Sequence, residues 1–164
     1  MLESFRVAEF NSIAHVSKIN IEELVPVAEN NPIAIIEFKD KLDVLKILNR
    51  ATLVKHAYEL WAEGTNYSEL HKNIKASMSE HEEDLASTSF ALRIVTVGCK
   101  KSMKYNKERY KELDYIPFKG KVDLQNPLTV FHLVEIYDYS PETKNCKDKR
   151  PPKLLRVYFG KLPF

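Results

Sequence analysis

The sequence predicts a mixed α/β (α+β) fold made of two small units. Short β-branched or alternating apolar runs of strand length are interleaved with segments whose apolar residues recur at helical spacing. After Gly64 the pattern begins again, which sets one unit over residues 1–64 and a second over residues 65–164. A chain of 164 residues suffices for one ordinary domain or two small ones.

In the first unit, residues 5–15 mix Phe5, Val7, Ala8 and Phe10 with Arg6 and Glu9, as a short amphipathic helix does. The segment IEELVP ends at Pro26, and the turn ENNP leads into PIAIIEF, a β-branched run suited to a buried strand. Asp40 can cap a helix that carries Leu42, Leu45 and Leu48 on one face and finishes near Arg50. Residues 53–61, LVKHAYELW, read as a strand that Glu63 and Gly64 close.

In the second unit, Asn66 with Glu69 three residues later forms a capping box, and Tyr67, Leu70 and Ile74 line a helical face. Residues 77–89 are polar and acidic, a solvated connection or the end of a second helix. FALRIVTVG (90–98) reads as a strand, and residues 100–115 as a basic helix stopped by Pro117. Strand-like pieces follow at 129–137 and 154–160, separated by the basic loop SPETKNCKDKRPPK. Phe131, Tyr158 and Phe159, inside those runs, are expected in the core.

Composition narrows the function. No apolar run approaches the roughly 18 residues needed to span a bilayer, and the N-terminus lacks the basic region and apolar core of a signal peptide. A cytoplasmic protein with no membrane partner is expected, its Cys99 and Cys146 reduced. The five histidines are scattered without metal-ligand spacing, and the run Glu80, Glu82, Glu83, Asp84 reads as a solvated turn. No metal site is expected. Four isolated glycines offer no phosphate cradle, and there is no G-x-S-x-G elbow, so no catalytic residue is assigned.

Charge, by contrast, is organised. Residues 1–99 hold 10 Lys or Arg against 15 Asp or Glu, a net of −5, whereas residues 100–164 hold 15 against 8, a net of +7. On a helix Lys100, Lys104, Lys107 and Lys111 share one face, with Lys101 and Arg109 beside them. Such a stripe neutralises phosphates or is merely a solvated face. Three features favour the first reading. Tyr105, Tyr110, Tyr115 and Phe118 interleave with the cations as rings on which unpaired bases can stack, although Phe118 fits the core slightly better. The Lys119-Gly120-Lys121 turn adds two charges where backbone can approach a phosphate. Arg156 and the loop cations Lys144, Lys147, Lys149 and Arg150 extend the patch. Lys100, Lys101, Lys104, Lys107, Lys119, Lys121 and Arg156 are the candidate nucleic-acid-binding residues.

The wording of several stretches carries a resemblance. "FR" with its helix at Phe5 and Arg6, "AYELWAEG" (57–64), "ELHKNIK" (69–75), "YIPFKGKVDLQNPLTVFHLVEIY" (115–137) and "VYFGK" (157–161) occur in order across nearly the whole chain. Together they resemble the N-terminal region of the eukaryotic tRNA (guanosine-10-N2) methyltransferase catalytic subunit. The resemblance implies a ferredoxin-like N-terminal unit followed by a THUMP domain that binds the tRNA 3′ acceptor end. It also implies a downstream methyltransferase domain with the S-adenosylmethionine site, an Asn/Asp-Pro-Pro-Tyr tetrapeptide and the contact for a small zinc-binding activator subunit. "KRPPK" (149–153) shares only the two prolines, so this chain itself is expected to be noncatalytic and to hold no cofactor. The family opens with a strand ahead of the "FR" helix, and only four residues precede Phe5 here. Either the N-terminus is truncated or 19–25 and 33–38 pair in a modified sheet. The competing expectation from another class is a protein-interaction module that binds no RNA.

Overall fold

The computed structural model describes residues 3–25, 33–138 and 152–163. Two compact units part between Ala57 and Tyr58.

The first unit runs helix α1 (Glu3–Val16), strands β1 (Ile21–Val25) and β2 (Ile35–Phe38), helix α2 (Lys41–Leu48). β1 and β2 pair with each other, one of the two alternatives that the sequence leaves open, in an antiparallel ladder with Ile21 opposite Phe38 and Glu23 opposite Ile36. Ala14, Ile19 and Ile47 are buried, with Phe10, Ile13 and Phe38 packed on them. Asp40 caps α2 as its position suggests, accepting from the Leu42 N–H at 2.9 Å. The apolar face of α2 differs from expectation. Leu42 is 58% exposed while Ile47 is buried. Ile47 lies five residues on, about 140° round the helix from Leu42, and a helix this short presents only one stripe to the core.

The strand expected over 53–61 is also displaced. The Glu9 carboxylate accepts from the Thr52 N–H at 2.8 Å, the Thr52 hydroxyl at 2.7 Å and the Leu53 N–H at 2.9 Å. Those backbone donors are therefore turned to a side chain of α1 and not to a sheet. Extended pairing begins only where a partner strand is available, at β3 (Glu59–Gly64), with Glu59 opposite Lys161. The strand that the sequence places at the end of the first unit thus completes the sheet of the second.

The second unit continues with α3 (Tyr67–Ser77), a 3₁₀ turn (Met78–His81), the single turn α4 (Glu82–Leu85), β4 (Ser89–Val97), α5 (Met103–Glu112), β5 (Lys121–Val122), β6 (Thr129–Tyr137) and β7 (Leu154–Lys161). The sheet order is β3-β7-β6-β4-β5, with β4 parallel to both β5 and β6 and the remaining pairs antiparallel. β6 is buried from Phe131 to Tyr137, as befits a central strand with no polar face. One sheet face supplies Phe131, Leu133, Val157 and Phe159 to a core shared with Leu70 and Ile74 of α3 and with Leu113 and Ile116 after α5. Phe131, Phe159 and Tyr158 are all buried, as expected. Asn66 caps α3 by accepting from the Glu69 N–H at 3.0 Å, and the Glu69 carboxylate accepts from the Thr65 N–H at 2.8 Å. Among the described residues no helix is long and apolar enough to cross a membrane.

Candidate nucleic-acid interface

α5 is the crossover between the parallel strands β4 and β5, so it runs back along the sheet. Gly98 begins the turn out of β4 with φ +89, and a β-carbon there would strike the Tyr137 carbonyl. Ser102 then accepts from the Tyr105 N–H at 3.2 Å and starts the helix. The helix therefore begins later than expected. Lys100 and Lys101 precede it, while Lys104, Lys107 and Lys111 ride on it at i, i+3 and i+7 and are exposed. The cause is the cap: Ser102 satisfies an early donor that a lysine cannot.

At the far end, the Lys119 N–H donates to the Leu85 carbonyl at 3.0 Å and the Lys121 N–H to the Thr88 carbonyl at 3.1 Å. Both lysines are exposed. Ser89 pairs with Lys121, so eight residues of β4, about 26 Å of extended chain, separate this end from Val97 and the Lys100 end. Residues 100–121 contain eight Lys or Arg and three Asp or Glu, and α5 leads the charge from one end towards the other. Gly120, expected as a place where a phosphate could approach, has another role. Its bare α-carbon is pressed against the backbone of Ser87 and Thr88, where a β-carbon has no room.

Two of the seven candidates differ from a free cation. Lys101 is half-buried, its ammonium 4.0 Å from the Tyr137 ring centroid and 4.9 Å from that of Tyr105. Arg156 is exposed but ion-paired with Glu63 at 3.3 Å. It alternates with Val157 and Phe159, which face the core, so it lies on the sheet face opposite them. Arg109 is paired with Glu112 at 2.6 Å and lies over the Tyr67 ring at 4.5 Å. Lys100, Lys104, Lys107, Lys119 and Lys121 make no ion pair with another described residue. The loop cations Lys144, Lys147, Lys149 and Arg150 lie outside the described residues.

The rings expected to stack on bases are largely engaged within the protein. Phe118 stacks on Phe90 at 4.3 Å and leans on Phe131 at 4.8 Å, in the core. The Tyr115 hydroxyl meets His71 Nδ1 at 2.9 Å and Lys75 lies over its ring; burial pushes this phenol up to about 12 and the His71 imidazole down. Tyr105 turns inward to a group that sequence reasoning misses. Glu135 is fully buried and accepts from the hydroxyls of Tyr67, of Tyr105 at 2.8 Å and of Tyr137 at 3.1 Å. Burial, with the neighbouring carboxylate, raises the phenols of Tyr67 and Tyr137 well above their ordinary range, and burial raises Tyr105 too. The signal is present in TVFHLVEIY, where one carboxylate interrupts an apolar strand.

A second acidic group gathers around β3 and α4. Glu59, His81 and Asp84 each bring a ligand-type atom within 4.8 Å of the others. The Lys161 ammonium pairs with Asp84 and, at 3.8 Å, with Glu59, so an internal cation already offsets these two carboxylates. His81 stacks on Trp61 at 4.0 Å.

Comparison with known proteins agrees with this architecture. A tRNA (guanine(10)-N(2))-methyltransferase of Saccharomyces cerevisiae is 30% identical over 164 residues, covering 96% of this chain and 36% of the relative. The Xenopus laevis TRMT11 methyltransferase is 24% identical over 159 residues, 96% of this chain and 32% of its own. The Homo sapiens protein is 27% identical over 117 residues, 70% of this chain and 24% of its own. The chain thus spans about a third of the length of the first two. No solved structure matches it. The family described as the Tmrp11 THUMP N-terminal domain matches residues 1–162, and this chain belongs to it.

Proposed function

We propose that the chain is a noncatalytic tRNA-binding module that holds the 3′ acceptor end so that an attached methyltransferase domain meets its guanosine at a fixed distance. The observation that carries this reading is the band of exposed lysines along the α5 crossover, from Lys100 through Lys104 and Lys107 towards Lys119 and Lys121, without ion pairs among the described residues. Relatives named as tRNA (guanine(10)-N(2))-methyltransferases support it. Because Tyr105, Tyr115 and Phe118 are partly buried and engaged with partners within the protein, recognition rests on phosphate charge, helix shape and the single-stranded 3′ terminus more than on stacking against these rings. Lys101 and Arg156 contribute less than the exposed lysines, the first being seated on rings and the second paired.

In this reading S-adenosylmethionine, the catalytic tetrapeptide and the contact for the small zinc-binding activator subunit belong to the downstream domain, and the protein works in the cytoplasm. The residues of this chain fit a nucleotide cofactor poorly. Each of its four glycines is packed against backbone of its own chain, leaving no glycine loop open to a phosphate.

One observation favours a protein-docking reading. Val122, Leu124 and Leu128 are 65%, 72% and 73% exposed along the edge strand β5 and the loop after it. Filter binding of tRNA at two salt concentrations separates the two. Binding that weakens steeply with salt supports the tRNA reading; weak binding that is flat with salt supports docking.

A further inference from the structure

α5 has an unusual attachment for a surface helix: none of its residues is buried. Ten residues are too few to hold a helix in water by themselves. The apolar anchors of this segment, Leu113 and Ile116, come after the helix, at 2% and 5% exposure. Its N-terminal half is tied down by a different device. The Tyr105 hydroxyl lies 2.8 Å from Glu135 Oε1 and 2.9 Å from the Tyr137 hydroxyl. The Tyr67 hydroxyl of α3 donates to the same Glu135 oxygen. On the rings that surround the carboxylate lie the two inward cations of the segment, Lys101 over Tyr137 and Tyr105, and Arg109 over Tyr67 and Tyr105.

A buried carboxylate is an expensive way to fill space. Glu135 stands opposite Val157 in the ladder, in the same row as Phe131 and Leu133, where an apolar residue would pack without desolvation. What the carboxylate adds is direction: it accepts from three hydroxyls that come from three separate elements.

We propose that Glu135 is a positioning residue for the basic face of α5. By holding Tyr105 against Tyr67 and Tyr137 it seats the helix start and Lys101, so that Lys100, Lys104 and Lys107 present one fixed pattern of charge to RNA. This rests on the tRNA reading above. Glu135 touches no ligand itself and acts through Tyr105.

The test uses the whole chain with Tyr105→Phe, which removes the hydroxyl that links α5 to Glu135 but keeps the ring. Glu135→Leu and Glu135→Gln accompany it, with Lys104→Ala as a charge control. Read out are amide exchange of residues 103–112, the melting midpoint, and tRNA affinity at two salt concentrations. Loss of a hydrogen bond to a charged acceptor should speed α5 exchange and weaken tRNA binding by about tenfold each. The affinity loss should be the same factor at both salts because no cation is removed, whereas Lys104→Ala should flatten the salt dependence by about 0.7 to 0.9 in slope. Glu135→Gln, which retains an acceptor oxygen, should recover part of what Glu135→Leu loses. Wild-type exchange and affinity in Tyr105→Phe overturn the proposal even if Glu135→Leu fails to fold. A lowered melting midpoint with unchanged affinity makes Glu135 structural only, and also overturns it. An unsubstituted chain that binds no tRNA overturns the tRNA reading and this one together. If the unsubstituted chain binds tRNA and the Tyr105→Phe variant binds it equally well, this proposal alone is overturned.

Discussion

Replacing Lys104, Lys107 and Lys111 together by alanine removes three exposed cations of α5 and leaves Tyr105 and Arg109 in place. Alanine is at least as good a helix former as lysine, so the helix itself should not suffer. None of the three lysines makes an ion pair with a described residue, so each is available to displace counterions from RNA. Each contact should contribute about 0.7 to 0.9 to the slope of log affinity against log salt, so the triple variant should lose about 2 to 3 from that slope. Between about 50 and 200 mM salt, the affinity lost by the variant should then be about 20- to 40-fold smaller than that lost by the unsubstituted chain. Filter binding at four or more salt concentrations, with circular dichroism to confirm the fold, measures this. A folded triple variant with an unchanged slope would refute α5 as the phosphate-binding element.

Three further outcomes follow from the packing. Leu70→Ala opens a cavity at a fully buried position between α3 and the sheet, and urea denaturation should show a loss of about 2–5 kcal/mol; a loss below about 1 kcal/mol would mean that the site collapses freely. The hydrogen bonds from Thr52 and Leu53 hold the Glu9 carboxyl below its ordinary value of 4.5, so its stabilisation is present above that pH and fades as pH falls further. Glu9→Gln should remove that acid-side dependence from the first unit, seen as weaker pH sensitivity of exchange at Thr52 and Leu53. The phenols of Tyr67, Tyr105 and Tyr137 are raised, so their contribution is complete below the ordinary value of 10.0 and is lost as pH rises through the higher folded values. An alkaline absorbance titration should show them ionising late, together with unfolding; ordinary ionisation near pH 10 in the folded protein would contradict the Glu135 cage.

Local signals locate most elements well. Asp40 and Asn66 announce helix starts by their capping chemistry, and the apolar run 129–137 marks both bounds of β6, because these depend on neighbours in sequence. What depends on distant partners is misplaced. Nothing near Thr52 reveals that Glu9, 43 residues earlier, claims its backbone donors, and nothing in LVKHAYELW says that only from Glu59 on does β7 offer a ladder. The site shows the same division. The lysines of α5 are legible as a stripe, since helical spacing alone sets their face. Which cations are withdrawn is not, because Lys101 and Arg156 are held by Tyr137 and Glu63, far along the chain. Tyr105 and Tyr115 look like stacking platforms for the same reason: their partners Glu135 and His71 are 30 and 44 residues away.

The acceptor end as ligand is tested most directly by comparing the affinity of the whole chain for an acceptor-stem minihelix, carrying its unpaired 3′ terminus, with that for an anticodon-stem hairpin of equal length and charge. Recognition of the acceptor end predicts tighter binding of the minihelix, by about tenfold or more, at the same salt concentration. Equal affinities would show charge attraction without acceptor-end recognition and would contradict it.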